Sequence, residues 1–276
     1  MARLRPANSL APAAPAQRRT RRWAAAGAAF GLLGAVLAFA PASWLAAGVA
    51  WATRQHLLLA EPQGTLWEGS ALLVLTGGEG SRDAALLPSR LDWRLSPTWQ
   101  GLRLSLAQAC CIAPGLSVEL HPGWGQPRLA VQAANGQVGR WPAAWLEGLG
   151  APLNTLRPTG ELRLVTRDLS LQRSQGQWRL EGQADLDLLQ ASSLLSTLAP
   201  LGSYRVTLRG QPAGPVAVLL QTLDGALLLS GQGQVGPGGL RFRGEARAAA
   251  GQEAPLNNLL NIIGRRNGAA SVLSIG

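Results

Sequence analysis

The chain has 276 residues, a net charge of +10 and a sequence pI near 11.5, values that many nucleic-acid-binding proteins share. Six of its 25 basic residues lie within the first 22 positions, and the net charge falls to +4 once these six are set aside. The remaining arginines are interspersed with acidic residues instead of gathering on one segment, so the charge pattern argues against nucleic-acid binding.

Residues 23–53 contain no charged side chain and follow the arginine-rich tail. The hydrocarbon core of a bilayer is about 30 Å thick and needs roughly 20 apolar residues in a helix. Since basic flanks stay in the cytoplasm, the sequence predicts a cytoplasmic tail over 1–22, a transmembrane helix over 23–41 and a periplasmic domain over 42–276. The flanking arginines that orient this helix are Arg18, Arg19, Arg21 and Arg22.

A cleaved signal peptide is the competing interpretation of the same stretch. Residues 38–40 (AFA) match the small-residue pattern of a cleavage site. Pro41 would then be the first mature residue, where its missing N–H and fixed φ suit a peptidase poorly. The apolar run also exceeds the usual length of about 7–15 residues. We therefore predict an uncleaved anchor in the inner membrane, with the C-terminal domain in the periplasm.

The next element is a short helix after Pro41, because Trp44, Leu45 and Val49 recur at helical spacing. From residue 57 the hydrophobic period changes to two. Alternation is clearest over 177–188 and 90–96, and it recurs over 101–106, 116–120, 203–209 and 240–247. Such strands bury one face and expose the other, which is typical of antiparallel sheets.

The last third of the chain predicts a four-stranded meander over 203–210, 215–222, 225–232 and 239–248, with a turn at residues 224–225. Three apolar segments are predicted to form short helices that cover the sheet. They span residues 141–150, 191–201 and 255–264. The predicted fold class is mainly β: one N-terminal transmembrane helix, then a twisted antiparallel β-sheet domain with a few short covering helices.

The two cysteines, Cys110 and Cys111, are adjacent. Thiols tend to oxidise outside the cytoplasm, but neighbours in sequence can pair only through a small ring. Three interpretations are open: two small strand residues of which one is buried, a vicinal disulfide, or metal or redox chemistry.

Residues suited to catalysis are few. His56 and His121 are the two histidines, and no nucleophile elbow, zinc-protease motif or phosphate-binding glycine loop is present. Asp185 and Asp187 alternate on one strand and are predicted to be solvated surface groups. The sequence therefore predicts no enzyme, no metal site, no cofactor and no small-molecule substrate.

Tryptophan and glycine provide the more distinctive patterns. Trp67 lies between glycines in GTLWEG, where the backbone can turn closely while the indole fills a core gap. Trp93 and Trp178 occupy the apolar register of their strands. All three are predicted to be core anchors.

Taken in order, these motifs resemble the type II secretion system protein N family over nearly the whole chain. Its G-T-x-W-x-G segment is matched by Gly64, Thr65, Trp67 and Gly69, and its L-x-W-x-L-x-P element by residues 91–97, which include Trp93 and Pro97. Residues 151–164, 201–210 and 223–233 are also similar. The adjacent cysteines depart from the pattern.

The resemblance implies an inner-membrane accessory component of the machine that exports folded proteins across the outer membrane. Its partners would be other inner-membrane components of that machine, with the secretin as a further candidate. The motif residues read as structural, and no active site is carried over. On this view the β domain is a periplasmic scaffold or adaptor, and the uncharged segment 269–276 pairs with the sheet or with a partner.

Two other functions remain as alternatives. An AsmA-like envelope protein would handle lipid in an apolar β-groove, and it would need an apolar sheet face that helices leave open. An envelope enzyme would need a concave site that contains titratable groups with shifted pKa values.

Overall fold

The computed structural model describes residues 16–276 except 124–125, 134–135, 175–176, 212–213 and 237, and it describes no side chain for 16–22, 174 and 177. The chain divides into two compact units, Met1–Ala40 and Pro41–Gly276. In the first unit, helix α1 (Ala16–Ala38) begins within the arginine-rich tail. Within the described part of the chain, no helix has both the length and the apolar character that crossing a membrane requires. The transmembrane helix predicted over 23–41 is therefore not found.

The second unit opens with helix α2 (Ala42–Ala52), which begins directly after an extended Pro41. Proline lacks the backbone N–H that a helix interior needs, so it suits the position that precedes a helix. The predicted short helix is thus confirmed. Leu45, Ala46 and Val49 pack against the core, whereas Trp44 and Trp51 project outwards.

The rest of the second unit is one antiparallel sheet, which has 15 strands among the described residues. The strands run in order as β1 Leu57–Gly64, β2 Glu68–Thr76, β3 Ala84–Thr98, β4 Gly101–Ala107, β5 Ser117–His121, β6 Arg128–Gln132, β7 Gln137–Pro142, β8 Pro158–Ser174, β9 Gln177–Ser193, β10 Gly202–Arg209, β11 Val216–Gly225, β12 Leu227–Gly236, β13 Gly239–Ala248, β14 Arg265–Asn267 and β15 Ala270–Ile275.

Nearly every strand pairs with its neighbour in sequence, because short hairpin turns join antiparallel strands directly. β6 is an exception, since it pairs with one half of β8 instead of with β7, while β7 pairs with the other half of β8. At the far edge β15 pairs with β13, and β14 pairs with the outer side of β15. The predicted meander is confirmed as β10 to β13. The segment 269–276 was predicted to pair either with the sheet or with a partner. Its strand β15 pairs with the sheet.

Three helical segments interrupt the strands: a 3₁₀ helix (Ala143–Leu149), α3 (Leu153–Leu156) and α4 (Glu253–Ile263). They confirm the helices predicted over 141–150 and 255–264. The helix predicted over 191–201 is wrong, because β9 continues to Ser193 and an irregular turn follows. There the hydroxyls of Ser193 and Ser196 accept hydrogen bonds from Leu195 N and Leu198 N, and such local bonds compete with a helix.

Two apolar clusters lie on the face that the helices cover. One packs Leu73, Leu87 and Trp93 with residues of α2. The other packs Leu227 and Ala246 of the meander against α4, whose buried leucines are Leu256, Leu259 and Leu260. Each helix thereby seals apolar sheet surface that would otherwise face water.

The opposite face of the sheet is called the polar face below. Successive side chains on a strand point to opposite sides, so the odd-numbered residues of β13, Arg241, Arg243, Glu245 and Arg247, point away from buried Ala246 and α4. Cross-strand pairing places Gln232 and Gln234 beside Arg243 and Arg241 on that face. The charged residues of β13 therefore lie together on the polar face.

Candidate functional site

The G-T-x-W-x-G motif forms the turn between β1 and β2. Gly64 has φ = +88°, and Thr65 N donates to Glu68 O at 2.8 Å. The Thr65 hydroxyl accepts hydrogen bonds from Trp67 N at 3.2 Å and Glu68 N at 3.1 Å. Threonine at this position satisfies two turn amides, and glycine permits the left-handed backbone.

The tryptophan of the second motif packs on the first. Trp93 is 3% exposed, and a side chain at the paired Gly69 would lie 2.6 Å from its ring. Its indole donates to Leu66 O at 3.2 Å, and Leu95 N donates to Trp67 O at 2.6 Å. The fold thus brings the two predicted motifs together as one packed corner.

The other predicted anchors have different outcomes. Pro97 pairs with Leu102 near the turn between β3 and β4 and does not contribute to the core. Trp67 is half-buried. Trp178 is 51% exposed, so its predicted place in the core is wrong. It lies near the tip of the β8–β9 hairpin, beyond Gln183, where pairing with β10 ends. Arg18, Arg19, Arg21 and Arg22 lie on α1, and their side chains are outside the description.

Asp187 is the most deeply buried charge on the polar face. It was predicted to be solvated, but its exposure is 0%. Arg205 donates to its two oxygens at 2.6 and 2.9 Å, and Arg163 donates to Oδ2 at 2.7 Å. The hydrogen bond from Arg205 lowers the pKa of this carboxyl group, and Arg163 adds to the effect against the opposing cost of burial.

Asp185 is also buried, again contrary to its predicted solvation. Thr207 Oγ1 donates to its Oδ1 at 2.7 Å, and Gln183 Nε2 lies within 3.0 Å of both oxygens. Arg167 completes an ion pair at 3.3 Å. The two aspartates join β8, β9 and β10 by charge-assisted hydrogen bonds. Because each carboxylate already has several partners, their arrangement is structural.

Beside this cluster the polar face contains a cavity of about 1150 Å³, called the arginine cavity. Its lining residues come from β10 to β13 and from β15 onwards: Thr207, Arg209, Ala217, Val218, Leu219, Gln232, Gly233, Gln234, Arg241, Phe242, Arg243, Ser274, Ile275 and Gly276. Among the described residues that line it, three are arginines and none is an aspartate or glutamate.

A second cavity, of about 830 Å³, lies on the polar face of β2 to β4 and is called the paired cavity. Glu68 and Arg94 line it and form an ion pair at 2.8 Å. Arg103 also lines it and pairs with Glu119 at 2.7 Å. Unlike the arginines of the arginine cavity, the two arginines that line this cavity each have a glutamate partner.

The adjacent cysteines form a vicinal disulfide in the turn after β4, which selects one of the three interpretations left open. Cys111 is buried, and its carbonyl oxygen accepts a hydrogen bond from Arg140 N at 2.7 Å. The Ser89 hydroxyl donates to Cys110 Sγ at 3.0 Å. The turn thereby connects β3 with β7.

The histidines lie apart from both cavities. His56 Nδ1 lies 3.2 Å from Thr76 O, and His121 Nε2 lies 3.8 Å from Glu119 Oε2. In the described part of the chain, no three His, Cys, Asp or Glu residues are grouped to hold a metal ion.

Sequence analysis missed the arginine cavity. The signal is present in LRFRGEAR, where Arg241 and Arg243 alternate on one strand before any acidic residue follows. The partners of Asp187 could not be found in this way, because they lie 24 and 18 residues away and meet it only through strand register.

Comparison with known sequences then connects this architecture to a family. Searches of curated proteins and of solved structures found no match. The family model described as Type II secretion system (T2SS), protein N matches residues 55–272, which extend from just before β1 into β15. The match covers far more than half of the chain and includes both motifs of the packed corner. The chain therefore belongs to the type II secretion system protein N family.

Proposed function

We propose that this chain is an inner-membrane accessory component of the type II secretion machinery, and that its sheet domain is a periplasmic scaffold or adaptor for other components. Family membership supports a secretion accessory role and association with other type II secretion components. The observation that carries the proposal is the coincidence of the family match with the sheet itself. The matched residues include nearly all of the sheet, together with the packed corner and most of both cavities.

The attachment to the inner membrane rests on apolar surface near the N-terminal end of the match. Trp23, Phe30 and Phe39 have largely exposed side chains along residues 23–40. On α2, Trp44 and Trp51 are 52% and 85% exposed and lie seven residues apart, on the same side of the helix. Tryptophan is enriched at membrane interfaces. The proposal places the N-terminus in the cytoplasm and the sheet in the periplasm, with the basic tail as the cytoplasmic flank.

The scaffold is favoured over a lipid-handling groove. Such a groove would need an open apolar face, but the two apolar clusters lie beneath α2 and α4. The larger cavity lies on the polar face, and its lining combines arginine, glutamine and threonine with apolar residues such as Leu219 and Ile275. An acyl chain buried there would lie against guanidinium charges, which reduces the free energy gained from its burial.

The direct test deletes the gene that encodes the chain in the cells that produce it. It then measures export of the proteins that the secretion machine transports. We expect these proteins to accumulate in the periplasm, and restoration of the full chain should restore export. Normal export in the deletion strain, together with no secretion component crosslinked to the restored chain, would refute the proposal.

Membrane attachment needs its own measurement. The full chain should sediment with membranes and resist extraction by carbonate. Replacing Trp44 and Trp51 by serine should increase the extractable fraction, whereas Trp99→Ser is the matched control, because Trp99 is fully exposed on a sheet turn far along the chain. Equal extraction of both variants would show that α2 does not contribute to attachment.

A further inference from the structure

The arginine cavity contains a local excess of positive charge. Arg209, Arg241 and Arg243 line it together, and no aspartate or glutamate is among the described residues of its lining. All three side chains belong to exposed residues. Guanidinium groups remain protonated at any physiological pH. This surface therefore presents permanent positive charge.

Carboxylates in the neighbourhood are already occupied. Asp185 accepts hydrogen bonds from Thr207 and Gln183, and Glu245 pairs with Arg247 at 2.7 Å. Arg209 has a long hydrogen bond of 3.4 Å to Gln183 Oε1. Among the described residues, no ion pair involves any of the three cavity arginines. These three guanidinium groups therefore carry charge that no described aspartate or glutamate neutralises.

The spacing of the charges indicates what shape of ligand would supply it. Arg241 and Arg243 are two residues apart on β13, so their side chains leave the same face about 7 Å apart. An extended peptide places alternate side chains at the same interval. Gln234 and Gln232 stand opposite these arginines on β12 and can donate further hydrogen bonds. Ala217 stands opposite Gln234 on β11, and its small side chain leaves room above the strand.

We propose that the arginine cavity binds an extended acidic segment of a partner protein, in which carboxylates alternate with other residues. Each carboxylate would accept paired hydrogen bonds from one guanidinium group, which is the strongest polar contact that such a surface offers. A protein segment is favoured over an anionic lipid, because Arg241 and Arg243 are spaced like alternate side chains of an extended strand. The inference rests on the proposed adaptor function and specifies the chemistry of the adaptor's partner.

The test measures binding of a fluorescein-labelled peptide of four Ser-Glu repeats to the full chain in detergent micelles, by fluorescence anisotropy. We expect saturable binding that weakens as salt is added. The double variant R241Q/R243Q should bind at least about tenfold more weakly. R247Q is the matched control, because Arg247 is on the same strand and face but has its own partner in Glu245. It should change the affinity less than about twofold.

Each other result contradicts the proposal. An equal loss in R247Q would show attraction by overall charge, and no loss in R241Q/R243Q would place the peptide elsewhere. Inorganic phosphate that displaces the peptide at equal charge concentration, or stronger binding to phosphatidylglycerol vesicles than to the peptide, would identify a phosphate site. Circular dichroism spectra that match the wild type establish that each variant is folded.

The failure of this inference can be told apart from the failure of the proposed function. If deletion of the chain blocks export but the peptide does not bind, the adaptor function is supported and the proposal of an acidic partner segment is wrong. If the peptide binds as expected but deletion leaves export unchanged, the cavity is an acidic-peptide site in a protein with another role.

Discussion

The two cavities of the polar face are built from the same kind of antiparallel strand but differ in how their charges are balanced. In the paired cavity, Glu68 pairs with Arg94, and Arg103 pairs with Glu119. In the arginine cavity, Arg241 and Arg243 have no such partner among the described residues. The same antiparallel sheet therefore accommodates both paired and unpaired arginines. The side chains on the neighbouring strands decide which cavity has arginines available to a ligand.

The largest expected effect concerns the packing beneath the paired cavity. Trp93→Ala should lower the free energy of unfolding by about 4 kcal/mol, because it removes a buried indole and leaves a void above Gly69. Urea unfolding of the full chain in detergent, followed by circular dichroism, measures the change. Trp99→Ala removes the same side chain from a fully exposed position and should have an effect below about 0.5 kcal/mol. Similar losses in both variants would refute the packed corner.

The next effect concerns the buried charge beside the arginine cavity. Asp187→Asn should lower the free energy of unfolding by about 3 kcal/mol, because Arg163 and Arg205 would lose their shared counter-charge while shape is kept. Asp92→Asn is the matched change beside the paired cavity, where Asp92 is exposed, and it should have little effect. Indistinguishable stabilities of these two variants would mean that Asp187 does not hold the strands together.

A pH series sharpens this result. Since the folded protein lowers the pKa of Asp187, the unfolded chain takes up the proton first as the pH falls. The stability that this carboxylate contributes is therefore complete above the usual aspartate pKa of 3.8 and is lost as the pH falls towards the lowered value. The gap between wild type and Asp187→Asn, measured by urea unfolding, should narrow below pH 3.8. A constant gap would assign the effect to packing instead of charge.

The smallest expected effect is on peptide binding, in a variant whose paired cavity is given unpaired arginines like those of the arginine cavity. E68Q/E119Q leaves Arg94 and Arg103 without their partners. Introduced into R241Q/R243Q, these changes should restore part of the binding of the acidic peptide, because the charges of Arg94 and Arg103 then become available in the paired cavity. Fluorescence anisotropy measures it. If binding stays at the level of R241Q/R243Q, unpaired arginines on this face are not sufficient to bind an acidic segment.

Sequence patterns predicted the strands and the apolar register of α4, because both follow from local periodicity. Leu256, Leu259 and Leu260 are buried as expected. Periodicity failed where the neighbouring strand decides the outcome. It placed Asp187 in solvent and Trp178 in the core, but β10 covers the position of Asp187 and ends before it reaches Trp178. Alternation tells which residues share a face, whereas their burial depends on pairing between distant segments.

The candidate site was predictable only in part. The motif residues Gly64, Thr65, Gly69 and Trp93 were found from the sequence, and the structure joins them at one corner. The arginine cavity needed the register of β10 to β13, since its three arginines come from two strands that are not neighbours. The alternation of Arg241 and Arg243 is visible in the sequence, but the position of Arg209 in the same cavity is not.

The vicinal disulfide has a practical consequence for mapping partners. Cys110 and Cys111 are the two cysteines of the chain, and both sulfur atoms are used in the disulfide. A cysteine introduced at position 232 or 274 would therefore be the single reactive thiol, with no need to remove native residues first. Thiol-specific crosslinkers can then be positioned along the polar face of the otherwise unaltered protein, and the molecules that they capture in living cells can be identified by mass spectrometry.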